Sequence, residues 1–230
     1  MKKLYPSAAF ILTLLASSAY ASGFYTGVTG GYDSTDFYKT LTIDENNAQI
    51  YDKQDNLAGK GFFGGALLGY RFDIGRGFIA TELDGNLSSM KYNGWFVDNT
   101  VSPGQTSTAT LSINKSYGIS LSPGYYINSN VALYGRIGFE RGDFQYSESK
   151  ATLGNASYGI TENQWLNGWK VGAGLLTALT PRLDLRLEYD HIRYDTYTNT
   201  TFPLEPGQYR TMKLSPESNQ FQLGLIYKFS

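Results

Sequence analysis

The sequence has no cysteine, a single histidine and no surplus of either charge. Without Cys there are no disulfides and no thiolate ligands, and one His leaves too few ligands for an ordinary zinc site. Lys and Arg number 19 against 20 Asp and Glu, so no basic surplus favours nucleic acid as a partner. We therefore predict no metal, no cofactor and no nucleic-acid function.

Long apolar runs are also missing. Beyond residue 22 no stretch approaches the roughly 18 consecutive apolar residues of a membrane helix, which excludes a helical membrane protein. The chain instead has 26 Gly and 19 Tyr, and aromatic residues make up 15% of it. Gly and Tyr are weak helix formers, whereas aromatic residues favour strands and Gly favours turns, so the composition predicts an all-β fold.

The first 21 residues have the pattern of a secretory signal peptide. Lys2 and Lys3 are followed by the apolar residues 8–16 and by a small-Tyr-small triplet that ends at Ala21. This apolar core is too short to remain as a membrane span. We predict cleavage between Ala21 and Ser22, which divides the chain into a signal peptide (1–21) and one mature domain (22–230).

The mature chain alternates between apolar and polar residues in eight places. A period of two is typical of strands with one apolar face, and a helix would scatter the same apolar positions around its surface. The predicted strands lie near residues 23–33, 61–72, 77–90, 113–126, 131–140, 164–178, 183–190 and 221–229.

The segments between these strands alternate in length. Short connections with turn residues lie at 73–76, 127–130 and 179–182, and long connections rich in Asn, Asp, Ser, Thr and Gly lie at 34–60, 91–112, 148–163 and 198–218. Transmembrane β-barrels have tight turns at one end and long surface-exposed loops at the other. A β-sandwich has no reason to sort its loops by length.

The polar parity of the strands carries most of the charge. In a membrane barrel the apolar parity faces lipid and the polar parity faces the lumen. Eight strands enclose a space that side chains can fill, so we predict a network of salt bridges there. Its predicted members are Glu82, Arg136, Glu140, Lys170, Arg186 and Glu188. A soluble lipocalin-like barrel is the structural alternative, but its interior parity should be apolar.

Aromatic residues at strand ends predict a girdle at the membrane interface. The candidates are Tyr70, Phe72, Tyr125, Tyr189, Tyr227 and Phe229.

The C-terminal segment resembles the β-signal by which the bacterial barrel-assembly machinery recognises its substrates. The residues that carry the resemblance are Gln222, Gly224, Leu225, Tyr227 and Phe229, although Ser230 follows the aromatic residue that usually stands last.

Together with the segments 69–72, 133–138, 172–174 and 185–189, this tail resembles the outer-membrane β-barrel (porin-like) superfamily of Gram-negative bacteria. That group includes the barrel of outer-membrane protein A and the opacity-type surface proteins. The resemblance implies an eight-stranded antiparallel barrel in the cell outer membrane. It also implies lipids, lipopolysaccharide and the assembly machinery as partners.

Four functions are compatible with such a barrel. The sequence favours a structural or surface-interaction protein with at most a narrow pore, and the long connections could contact host or other surface ligands. A small passive porin and a dedicated adhesin are alternatives. A lipid A-modifying enzyme would need a base, and only His191 is available for that role. Because His191 lies on the lipid-facing parity, we predict that the protein is not an enzyme.

The signal peptide predicts the mature N-terminus. Sequencing of protein purified from outer membranes should read Ser-Gly-Phe-Tyr, because the signal peptidase recognises the small residues before Ser22. Recovery of membrane-inserted protein that retains Met1 would contradict export by this route.

Overall fold

The computed structural model describes residues 23–45, 48–98, 105–152, 155–201 and 208–229, so the predicted signal peptide and its cleavage site lie outside the described residues. Nearly all of the described chain is strand. No helix within those ranges is long and apolar enough to cross a membrane. The strands are β1 (Gly23–Glu45), β2 (Ala48–Ile74), β3 (Gly77–Asp98), β4 (Gln105–Tyr126), β5 (Val131–Thr152), β6 (Asn155–Thr180), β7 (Leu183–Tyr194), β8 (Tyr197–Thr201) and β9 (Gln208–Lys228).

The strands form one closed antiparallel sheet. Each of β1 to β6 pairs with the next strand, β7 pairs with β9, and β9 pairs with β1 along its length, from Tyr25↔Lys228 to Glu45↔Gln208. The short strand β8 continues the path of β7 and pairs with β9. The ring therefore contains eight strands, which confirms the predicted all-β, eight-stranded antiparallel barrel.

Apolar and polar side chains are separated onto the two faces of the sheet, as the alternation in the sequence predicts. Large apolar side chains such as Leu83, Leu121 and Leu223 point outward and are about half exposed, whereas the intervening polar side chains of Glu82, Arg186 and others are buried inside. This arrangement is the reverse of a soluble barrel, because lipid covers the apolar face.

Aromatic side chains form two belts on the outer face. Phe24, Tyr70, Tyr125, Tyr227 and Phe229 lie at the end with the short turns, where Phe24 packs edge-on against Tyr70 with ring centroids 4.9 Å apart. The outer belt lies eight residues further along the strands and contains Tyr32, Phe62, Tyr117, Phe139, Trp169, Tyr189 and Phe221.

Eight residues span about 26 Å along a strand. At the usual tilt this corresponds to about 20 Å along the barrel axis, which is close to the apolar band of such barrels. Of the predicted girdle, Tyr189 lies in the outer belt. The other predicted members lie at the short-turn end, where Phe72 is partly buried.

The predicted long connections are mostly strand. Residues 34–45 and 48–60 belong to β1 and β2. In the same way β3 to β6 extend through 91–98, 105–112, 148–152 and 155–163, and the fourth predicted connection, 198–218, contains most of β8 (Tyr197–Thr201) and the first half of β9 (Gln208–Lys228). The loop assignment for these ranges was wrong because the strands continue beyond the lipid. There the outward face meets water and no longer needs apolar residues, so the period-two signal ends while backbone pairing continues.

Beyond the outer belt the ring separates into two sheets. Pairing between β2 and β3 stops at Lys60↔Lys91, and pairing between β6 and β7 stops at Gly168↔Tyr194. The extensions of β2, β1 and β9 with β8 form one four-stranded sheet, and those of β3 to β6 form another. The part outside the membrane is thus a pair of facing sheets with two seams.

The lipid-facing band predicts a depth-dependent cost for added charge. Leu225→Arg, in the middle of the band, should lower the free energy of unfolding in lipid vesicles by about 2–4 kcal/mol, whereas Leu179→Arg, beside a short turn, should cost about 0–1 kcal/mol. Denaturant titration followed by gel mobility measures both. Equal costs at the two positions would contradict the placement of the band.

Candidate functional site

The barrel interior is filled in three layers. A lower apolar layer near the short turns is formed by Tyr25, Leu67, Phe78, Ala80, Ala132, Tyr134, Leu176 and Ile226. A charged layer follows. Above it, where the barrel leaves the membrane, an upper apolar layer is formed by Phe37, Leu57, Met90, Leu111, Ile113, Phe144, Leu166, Ile192, Tyr194 and Leu214. Phe37, Met90 and Ile192 are fully buried.

Arg186 and Glu82 form the lower half of the charged layer. Both guanidinium Nη atoms of Arg186 contact the Glu82 carboxylate, one of them at 3.0 Å. Tyr25 from the lower apolar layer donates its hydroxyl to the same carboxylate at 2.6 Å. A bidentate pair with a further donor is the geometry in which two buried charges satisfy each other.

Arg136 connects acidic side chains from two strands that face each other across the lumen. Its guanidinium donates to Glu188 on β7 and, at 2.6 Å, to Asp84 on β3. Its Nε donates to Ser120 at 3.0 Å. Glu188 also accepts from Tyr134 and Gln222. Every charged side chain in this layer is at most 7% exposed.

Lys170 and Glu140 form the upper half of the charged layer. The Lys170 ammonium contacts Glu140 and lies 3.3 Å from Asp84, which joins it to the Arg136 cluster. The Tyr194 hydroxyl donates to Glu140 at 3.0 Å. Tyr194 belongs to the upper apolar layer, whereas Tyr25 and Tyr134 belong to the lower one, so both apolar layers donate phenol hydroxyls to the charged layer between them.

The six residues predicted for the lumen network all lie in this layer and contact one another directly or through Asp84. Sequence reasoning omitted Asp84 and Asp190, which lie on the same inward parity and could have been found from it. Asp33 was also omitted; it is buried and accepts from Thr35, Ser218 and Gln220. The tail residue Gln222 bonds to Glu188 as well as belonging to the predicted assembly signal, which stays a prediction.

The upper apolar layer is the larger omission. A polar lumen was expected because membrane barrels have polar interiors, yet large apolar side chains fill the interior beyond the charged layer. These residues stand inside a water-surrounded part of the barrel, where an apolar interior is the ordinary soluble arrangement. In the sequence, this layer is indicated only by a change in which alternate positions of a strand are apolar. The change is hard to detect because the outward positions in the same segments are a mixture of apolar and polar residues.

A small cavity lies where the lower apolar layer meets the charged layer. The cavity lined by Tyr25, Glu82, Ser122, Tyr134 and Arg186 has a volume of about 10 Å³, which is room for one water molecule. Side-chain packing and paired charges thus occupy the cross-section of the barrel.

His191 lies away from this interior. It is half-buried on the outward parity of β7, and its Nδ1 is 2.9 Å from the side-chain oxygen of Asn219. Tyr189 donates its hydroxyl to the same oxygen at 2.8 Å. In the part of the chain that the structure describes, the hydrogen-bond partner of the His191 ring is therefore an amide and not a carboxylate or a nucleophile.

The closed eight-stranded ring, its lipid-facing belts and its charged interior define a transmembrane β-barrel of the outer-membrane class. The sequence matches the family model described as outer membrane protein beta-barrel domain over residues 7–229, so the chain belongs to this family and its location is the cell outer membrane. A search of curated proteins found no match.

A search of solved structures matches outer-membrane proteins at low sequence identity. Ail, the attachment invasion locus protein of Yersinia pestis, is 14% identical, with 87% of this chain and 99% of that chain covered and a TM-score of 0.30. Neisserial surface protein A is 17% identical (91% and 100% covered, TM-score 0.41). The protease OmpT of Escherichia coli is 12% identical (90% and 97% covered, TM-score 0.46).

The buried pairs predict strong coupling between charges. Arg186→Ala alone should destabilise the barrel by about 3–5 kcal/mol, because it leaves Glu82 buried without its partner. The double variant Arg186→Ala/Glu82→Ala should recover part of this loss. The free energies of unfolding of the wild type, both single variants and the double variant, measured in lipid vesicles, give the coupling energy of the pair.

The matched control is the exposed pair Arg193–Glu217, in which Arg193 has 74% of its side chain exposed and the N–O distance is 3.4 Å. Arg193→Ala should cost about 0–1 kcal/mol. If Arg186→Ala cost no more than this control, the charged layer would not contribute to stability.

Proposed function

We propose that this protein is a closed, non-enzymatic outer-membrane barrel whose two-sheet extramembrane part interacts with surfaces outside the cell. The observation that carries the proposal is the filled interior together with strands much longer than a membrane needs. A transmembrane strand takes about 9–11 residues, whereas β1 to β6 have between 22 and 27.

The filled interior supports a closed barrel over a passive porin. A solute would have to pass two apolar layers and break a salt-bridge layer in which each charge has at least one partner. Separating one such pair is costly when its members are buried. A pore that conducts steadily has a polar lumen containing water, as large porins have.

The length of the strands supports a role outside the membrane. Thirteen residues of β1 follow the outer-belt residue Tyr32, which corresponds to about 43 Å of strand. This segment and its counterparts form an ordered, hydrogen-bonded surface held on an apolar core of their own. Rigid sheets present side chains in fixed positions, which suits recognition better than a disordered loop does.

The surroundings of His191 support the absence of enzymatic activity. A general base in an acyl or phosphoryl transfer is oriented by an acid and stands beside a nucleophile. His191 instead shares the Asn219 side-chain oxygen with Tyr189 and lies two residues past this outer-belt residue. An interfacial role accounts for this arrangement without catalysis.

Conductance measurements test the closed lumen. In planar bilayers the purified protein should give no steady current and only small, infrequent events, because the three layers fill the bore. Large, steady wild-type channels would contradict the closed-barrel proposal and favour the passive porin.

Shortened hairpins test the surface role. Removing residues 39–55 and joining Tyr38 to Asn56 through Asn-Gly keeps the register, because these two residues are cross-strand partners. The second variant shortens the opposite sheet. It lacks residues 147–161, and Asn-Gly joins the cross-strand partners Tyr146 and Glu162. Cells expressing either variant should lose adhesion to cultured epithelial cells, while heat-dependent gel mobility shows an intact barrel. Unchanged adhesion in both variants would contradict the proposal.

A further inference from the structure

One row of side chains lies directly beyond the outer aromatic belt. It consists of the outward-facing residue two positions past the belt on each strand of the ring: Ser34, Lys60, Lys91, Lys115, Arg141, Asn167, His191 and Asn219. On β3, where the belt position is occupied by Ser89, that residue hydrogen-bonds to the backbone of the belt residue Phe62. All eight positions of this row are described, and none is acidic.

The charges in this row are confined to one side of the barrel. Lys60, Lys91, Lys115 and Arg141 stand on the four adjacent strands β2 to β5, and we call this set the basic arc. All four side chains belong to exposed residues. The other four strands contribute only neutral Ser and Asn side chains and His191 at this level. A general preference for cations at an interface would not select four neighbouring strands.

Two members of the basic arc oppose each other directly. Lys60 and Lys91 are cross-strand partners on the outward face. Like charges at opposed positions destabilise a sheet. A bound anion between the two ammonium groups would convert this repulsion into attraction.

The other two members lie against one indole ring. The Lys115 ammonium is 5.4 Å from the centroid of Trp165, and the Arg141 guanidinium carbon is 5.7 Å from it. Asp143 lies 3.8 Å from Lys115, which is at the outer limit of an ion pair and leaves Lys115 55% exposed. Trp165 therefore holds two cations close together while their charged ends stay accessible.

An apolar depression continues from the arc toward the membrane interior. It has a volume of about 610 Å³ on the outer face of the barrel and is lined by Leu83, Tyr117, Ile119, Phe139, Trp169 and Arg141. Arg141 lies at its upper end, beside Asn167 and Asp195, and Leu83 and Ile119 lie below the belt in the lipid-facing band. The depression thus joins the level of head groups to the level of acyl chains.

We propose that the basic arc and this depression form a binding site for an outer-leaflet lipid that carries more than one phosphate group, as lipopolysaccharide does. The phosphates would lie on Lys60 and Lys91 and on Lys115 and Arg141, and one acyl chain would occupy the depression. Cations pair with phosphate through charge-assisted hydrogen bonds. An outer-membrane protein meets this class of lipid at the height of the arc.

The position of the depression distinguishes a lipid from a soluble anionic partner. A soluble acidic protein or a polyanion could reach the arc. It could not place apolar groups in the part of the depression below the aromatic belt, because that part lies in the hydrocarbon layer. A lipid satisfies both halves of the site. This inference does not depend on whether the extramembrane sheets bind a host surface.

The test compares two variants with the same change in charge. The arc variant is Lys60→Gln/Lys91→Gln/Lys115→Gln/Arg141→Gln. The control variant is Arg76→Gln/Arg182→Gln/Arg193→Gln/Lys213→Gln, which removes four exposed cations away from the arc. Both proteins are refolded in detergent, and heat-dependent gel mobility verifies that each barrel is closed. Native mass spectrometry then measures binding of bisphosphorylated lipid A, and quenching of Trp165 and Trp169 fluorescence gives a second readout.

The wild type and the control should bind the bisphosphorylated lipid with affinities within about twofold of each other, and the arc variant should bind it about tenfold more weakly or worse. Lipid A from which the phosphates have been removed should bind all three proteins equally weakly. Leu83→Arg, at the apolar end, should weaken binding while the arc is intact.

Equal binding by the arc and control variants would overturn the proposal. So would equal binding of phosphorylated and dephosphorylated lipid to the wild type. Competition by inorganic phosphate with no effect of Leu83→Arg would assign the arc to free anions and overturn the lipid site.

Discussion

Within the hydrocarbon layer each backbone amide needs a protein partner, and this requirement determines the rest of the structure. A sheet can satisfy it only by closing on itself, which it does here where β9 pairs with β1. Closure with eight strands sets a narrow diameter, and the diameter in turn decides what the interior can contain. Charges inside so small a space must pair with one another, as Arg186 does with Glu82 and Lys170 with Glu140.

The same strands pass through two solvents, and the barrel changes character where the solvent changes. Between the belts the outer face is apolar, and the interior contains the lower apolar layer and the charged layer. Beyond Tyr32 and Phe62 the outer face meets water, and the interior becomes apolar around Phe37, Met90 and Ile192. The extramembrane part is therefore built as a soluble protein on top of a membrane protein, with pairing lost along two seams where the sheets separate.

This inversion links the fold to its proposed roles. The filled interior leaves the outside of the barrel as the surface available for binding. That outside has an extended pair of sheets above the membrane and, at the membrane interface, the basic arc with Trp165. The sheets can bind other surfaces, and the basic arc can bind lipid head groups. The two sites use different residues.

The sequence by itself determined the fold class, the inward parity and six of the charges that meet inside, because alternation along a strand reports directly which residues share a face. It also indicated the family through the tail residues Gly224 and Tyr227. It did not determine where the strands end, since the apolar period disappears at the membrane boundary while hydrogen bonding continues.

Only the tertiary structure decided which charges pair, that Asp84 bridges Arg136 and Lys170, and that Lys60, Lys91, Lys115 and Arg141 lie in one arc. These residues are far apart in sequence. Their meeting depends on the stagger between neighbouring strands, which arises from closure of the whole sheet and which no local pattern encodes.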